Sequence, residues 1–169
     1  MMLDLESQPN HIHFDLPSGV FVHRWLCDSS RAIVILQHGF AEYAERYVWS
    51  HAKLIPVLNA QGFEVWAMDL WGHGRSPGNR GVVDVQKAVD DHIQIRHRAA
   101  TLGLHVFLFG HSLGGLITAA SAARDASPPN DGVVLSSPAL PAAMIAPGER
   151  ALGLLARSVV QIGTGLAGW

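Results

Sequence analysis

Phe107-Leu108-Phe109-Gly110-His111-Ser112-Leu113-Gly114-Gly115 decides how the rest of this sequence is read. The apolar run Val106 to Phe109 predicts a buried strand, and it stops at Gly110-His111-Ser112-Leu113-Gly114, a G-x-S-x-G nucleophile elbow. A serine on so tight a strand-to-helix turn sits in strained backbone geometry, and the flanking positions tolerate no side chain, which accounts for Gly110 and Gly114. The Ala-rich stretch Leu116 to Arg124 favours a helix whose N-terminus directs free N–H groups at the serine. Ser112 is therefore the candidate nucleophile.

The strands and helices around the elbow alternate. Upstream, His11 to Leu16 and Val20 to Leu26 flank Pro17-Ser18-Gly19 and predict an antiparallel hairpin. Ala32 to Leu36 predicts a strand covered on both faces, the segment from Val48 to Gln61 a helix closed by Gly62, and Phe63 to Asp69 the next strand. After the Gly-rich loop from Gly72 to Gly81 comes a long helix from Asp84, its N-cap, to Leu102, with Gly103 at its end. Downstream of the elbow helix, Gly132 to Ser136 predicts a further strand. This order implies an α/β fold, a mostly parallel sheet with helices on both faces, whose sites lie at the carboxyl ends of strands. The His38 loop, the Asp69 loop and Ser112 all sit at such ends and are expected to share one cleft.

Size and composition narrow the function. The chain has 169 residues, 49% of them apolar, enough for one core but short for a complete α/β enzyme of about 200–250 residues. Net charge is −2 with dispersed Lys and Arg, so nothing suggests nucleic acid or a polybasic membrane patch. A small-molecule partner fits better. The single cysteine, Cys27, excludes an intrachain disulfide, and the N-terminus does not read as a signal peptide, so the expected location is the cytoplasm. His11 and His13 share a strand face, but no third ligand of suitable spacing follows, and they are read as surface polar residues rather than a metal site. No metal or cofactor is expected. Pro141 to Pro147 marks a boundary between a core, residues 1–140, and the start of a covering cap, residues 141–169. The apolar segment after Glu149 is too interrupted by charges and glycines for an integral membrane span and is read as packing over a core or cleft.

Three motifs in order, His38 to Tyr47, Asp69 to Gly81 and Gly110 to Gly115, with the strand Leu135 to Leu140, resemble α/β-hydrolases of the monoacylglycerol lipase and lysophospholipase type, also labelled serine aminopeptidase S33-like. The resemblance covers about Phe14 to Leu140. It implies the α/β-hydrolase fold and an oxyanion hole made by the backbone N–H groups of Phe40 and Leu113, with Gly39 permitting close approach. His38, His73 and His111 are read as structural, and Glu42, Arg46, Asp69 and Arg80 as loop-fixing groups.

The implied activity is hydrolysis of carboxylic esters with apolar acyl chains, such as monoacylglycerols or lysophospholipids, through an acyl-enzyme on Ser112. Transient contact with a lipid surface through the cap would suit such a substrate. An S33-like peptidase and a non-catalytic ligand- or partner-binding domain are the alternatives. The sequence departs from the family pattern in one respect: the triad order is Ser, acid, His, yet all ten histidines precede Ser112 and only Asp125, Asp131 and Glu149 follow it as acids. The expectation is an N-terminal part of a hydrolase, incomplete at its C-terminal end, with base and acid absent from these 169 residues. The strand around Val133-Val134-Leu135 is then expected to be an uncovered sheet edge.

Overall fold

The computed structural model describes residues 10–124 and 127–140. Two antiparallel strands, β1 (His11–Asp15) and β2 (Phe21–Trp25), open a six-stranded sheet continued by β3 (Ala32–Gln37), β4 (Phe63–Met68), β5 (His105–His111) and β6 (Gly132–Ser136), in the spatial order β1-β2-β4-β3-β5-β6. β3 pairs in parallel with both β4 and β5, and β5 with β6. Every residue of β3 is buried, as its continuous apolar run requires of a central strand covered on both faces.

Alternation along the strands divides the core in two. Ile33, Ile35, Trp66, Met68, Val106 and Leu108 pack with Val89, Ile95 and Ile117 from the helices α3 (Val85–Ala100) and α4 (Leu113–Ala122). Leu36, Val65 and Ala67 point to the other face, against Tyr47 and Ile55 of α1 (Arg46–Trp49) and α2 (Leu54–Ala60). The register then levels the strand ends. Gln37 lies beside Met68 and Gly110, and Gly110 beside Leu135, so the loops that follow emerge along one edge.

Two expectations need correction. The segment from Val48 to Gln61 is not one helix: α1 stops at Trp49, a 3-10 turn spans His51–Lys53, and α2 starts at Leu54. His51, Ala52 and Lys53 all have φ between +50° and +55°, and such left-handed backbone cannot continue a right-handed helix. His11 is not a fully exposed surface residue either but half-buried. Its Nε2 lies 3.0 Å from His23 Nδ1, and its ring packs 5.0 Å from that of Trp25. The expected long helix is α3, where the Asp84 side chain caps the Lys87 N–H at 3.1 Å. β6 is a sheet edge among the described residues, with Val134 43% exposed. No helix among them is long and apolar enough to cross a membrane. The expected cap, residues 141–169, lies outside the described residues, as do Glu149 and Asp125.

Between α3 and α4 lies a buried polar cluster. Arg96 Nη1 donates to the Ser121 carbonyl and hydroxyl oxygens, at 2.5 and 3.0 Å, and Nη2 to the Pro128 carbonyl. The Ser121 hydroxyl also meets His92 Nδ1 at 2.9 Å. Burial and the Arg96 charge lower the His92 pKa to about 3, against an ordinary value of 6.5. Between those two pH values the unfolded chain binds one more proton at His92 than the folded chain. Stability is therefore expected to fall on acidification by about 1.4 kcal/mol per pH unit from this residue alone. Urea titrations at pH 5.5, 5 and 4.5, well inside that window, should show a slope shallower by about that amount in His92→Gln than in the parent.

Candidate functional site

Ser112 begins α4 with φ +53° and ψ −118°, a conformation that costs a non-glycine residue about 1–3 kcal/mol. Backbone bonds hold it there from three sides: its N–H donates to the Ser136 carbonyl at 3.0 Å, and its carbonyl accepts from the N–H groups of Gly115 and Ala139, each at 2.9 Å. The glycines are required sterically. A Cβ on Gly110 would lie 2.5 Å from the Gly114 carbonyl oxygen and from Thr118 Oγ1, and one on Gly114 would collide with the carbonyl oxygens of Gln37 and His38. The elbow is thus pressed against the end of β3, where the His38 loop starts. At Gly39 a Cβ would stand 3.1 Å from Ser112 Cβ, so the two loops meet at this point.

The loop from His38 to Ala44 is pinned along its length. His38 Nδ1 donates to the Gly39 carbonyl at 2.7 Å and its Nε2 accepts from the Leu70 N–H at 3.0 Å. Complete burial lowers the His38 pKa, although nearby Asp69 opposes this, and the ring stays a neutral connector. The Ala41 N–H donates to His73 Nε2 at 3.1 Å and the Ala44 N–H to Asp69 Oδ1 at 2.8 Å. Phe40 is held between engaged neighbours, the Gly39 carbonyl and the Ala41 N–H, while the residue is 53% exposed. Leu113 is the first residue of α4, where a helix N–H has no partner within the helix. His111 is tied through Nδ1 to the Ser136 carbonyl at 3.1 Å.

Asp69 lies beneath these loops with no exposed surface. It accepts from His23 Nε2 at 3.1 Å, from the Ala44 N–H and from the Arg75 N–H at 2.7 Å, and its own carbonyl accepts from Ser76 Oγ at 2.6 Å. Burial alone would push this carboxyl up; the bond and charge of His23, with His38 and the Ala44 N–H, bring it below its ordinary range. Glu42 accepts from His51, Arg46, Tyr47 and the Gly39 N–H. Arg80 donates to the Gly74 carbonyl at 3.1 Å. Each of the four expected loop-fixing groups thus bonds at least one residue of the site loops.

The structure brings together Ser112, Leu113, Gly110, Gly114 and His111 on the elbow with His38, Gly39 and Phe40 on the facing loop. It keeps Asp131 apart. That carboxylate binds His105 Nδ1 at 2.9 Å and the Val106 N–H at 2.8 Å, at the opposite end of β5 from Ser112. No cluster of His, Cys, Asp and Glu among the described residues is arranged to hold a metal ion. Sequence reasoning missed His51, which reaches Glu42; its position inside a supposed helix hid it.

A family described as Serine aminopeptidase, S33 matches residues 28–165. The chain belongs to this family. Over 117 residues it is 35% identical to phospholipase YtpA of Bacillus subtilis (strain 168), a match covering 69% of this chain and 44% of that protein. Over 102 residues it is 34% identical to the monoglyceride lipase of Homo sapiens, covering 56% of this chain and 31% of that one. Among solved structures, the monoacylglycerol lipase of Paleococcus ferrophilus superposes with a TM-score of 0.61 at 41% identity, over 72% of this chain and 44% of that chain. The chain therefore spans less than half the length of these relatives. The fold is the α/β-hydrolase fold, as the motifs imply.

Removing the Asp69 carboxylate leaves buried His23 and two backbone N–H groups without their acceptor. Asp69→Ala is expected to cost about 3–5 kcal/mol, measured by urea unfolding. Gly114→Ala, which drives a methyl into the backbone of Gln37 and His38, is expected to cost about 1–3 kcal/mol in the same assay.

Proposed function

We propose that the protein is a serine hydrolase acting on carboxylic esters of apolar acyl chains, of the monoacylglycerol or lysophospholipid type. The observation that carries this reading is the meeting of the strained Ser112 with the pinned Gly39–Phe40 loop. Ser112 Oγ attacks the ester carbonyl carbon as its proton passes to a base. The carbonyl oxygen gains negative charge between the Phe40 and Leu113 N–H groups, the alcohol leaves with a proton, and water then releases the acid from the acyl-serine. The names of the relatives, a phospholipase and monoacylglycerol lipases, support the substrate class. So do the rings of Phe40 and Trp71, large apolar groups exposed on two of the site loops.

In this reading the base and its acid come from outside these 169 residues. His38, His73 and His111, the histidines of the site loops, each have a ring nitrogen bonded to the backbone, and Asp131 sits at the wrong end of the sheet. The family's description as a serine aminopeptidase favours a second reading, a peptidase acting on N-terminal residues, which would require the free amine of its substrate. The cytoplasm, where Cys27 would stay a thiol, is the location we assign.

A fluorophosphonate probe tests the nucleophile. Labelling is expected when the base and its acid are present, and it should disappear in Ser112→Ala; a folded protein that carries both and stays unlabelled would be a binding domain instead. With an active preparation, faster turnover of a medium-chain monoacylglycerol than of an aminoacyl amide separates the lipase reading from the peptidase one.

A further inference from the structure

His51 lies outside the three motifs, yet its imidazole touches both halves of the site. The backbone that carries it is unusual. His51, Ala52 and Lys53 are consecutive left-handed residues with φ of +50°, +55° and +52°, and none is a glycine. Each such residue costs about 1–2 kcal/mol. Ala52 and Lys53 are exposed, so burying their side chains does not offset that cost. What the turn achieves is the placement of His51.

The ring is fixed on four sides. Nε2 donates to Glu42 Oε1 at 3.0 Å, Nδ1 lies 2.9 Å from Ser50 Oγ, one face stacks on Tyr47 at 4.4 Å, and the ring stands edge-on to His111 at 6.3 Å. Both outer contacts lead to the reacting groups. Glu42 accepts the N–H of Gly39, the residue before Phe40, and His111 precedes Ser112. The Gly39 bond is long, 3.4 Å, so its strength depends on where the carboxylate is held. Arg46 and Tyr47 hold Glu42 at 3.4 and 3.3 Å, and His51 is its shortest partner. Partial burial would push the Glu42 carboxyl up, but His51 and the Gly39 N–H outweigh that and hold it ionised below its ordinary range.

We propose that His51 is a positioning residue for the oxyanion hole, holding Glu42 against the Gly39 N–H and bracing His111, and so setting the spacing between the Phe40 and Leu113 N–H groups. This rests on the reading of Ser112 as the nucleophile. His51 does not touch the substrate carbonyl; it acts through Glu42 and His111.

Two readouts on the full protein separate the ideas, amide hydrogen exchange across Gly39–Ala41 and steady-state hydrolysis of a p-nitrophenyl ester. His51→Ala is expected to speed exchange at Gly39 and lower kcat about 10-fold, less than the loss of an oxyanion donor itself, with KM changed less than about twofold. His51→Gln, whose amide N–H can reach Glu42, should restore most of both. Wild-type kcat and exchange in His51→Ala would overturn the proposal. So would an equal loss in the Ala and Gln variants alongside a shared fall in melting temperature, which marks a role in folding only. Should the wild-type protein neither label at Ser112 nor turn over ester, the hydrolase reading fails, and exchange at Gly39 alone then decides whether His51 holds this loop.

Discussion

The carboxylate of Asp69 is the constraint on which the site depends. It leaves the end of β4 and is wholly buried, so its charge must be satisfied by what surrounds it. Its partners come from three different stretches: His23 from β2, the Ala44 N–H from the loop after β3, and the Arg75 N–H from its own Gly-rich loop. Taking the carboxylate away would leave each of them short of an acceptor in a dry interior. One side chain thereby ties the hairpin at the sheet edge to the loop carrying Phe40.

The sheet supplies the second half of the arrangement. With Gln37, Met68, Gly110 and Leu135 in register, each following loop begins at the same height. The loops meet because their strands end together, and no long excursion is needed to bring Gly39 beside Ser112. The elbow adds a local fit in which glycines at 110 and 114 let α4 start against the end of β3.

Much of this was legible in the sequence because it depends on local chemistry. The apolar runs of β3 and β5, the N-cap at Asp84 and the Gly-x-Ser-x-Gly turn are each specified within a few residues, and the structure has them in place. The break between α1 and α2 was not legible. The stretch from Val48 to Gln61 carries helical spacing, and the left-handed turn inside it is stabilised by contacts of His51 with Glu42, Tyr47 and His111, the last of them sixty residues away. The partial burial of His11 was hidden for the same reason. Its neighbours are His23 and Trp25 on the next strand, and only the register of β1 with β2 brings them together. Histidine in general resists such reading, since either ring nitrogen can donate or accept and its partner decides which.

The contact of Gly114 with the carbonyl groups of Gln37 and His38 has a mechanical consequence. Backbone rests on backbone at that point, with no flexible side chain between to absorb motion. The serine and the loop opposite it are therefore coupled as one body, while the Phe40 and Trp71 side chains reach the surface at the rim. Variation at the rim could then retune which acyl groups are admitted without disturbing the frame in which the ester carbonyl would be held.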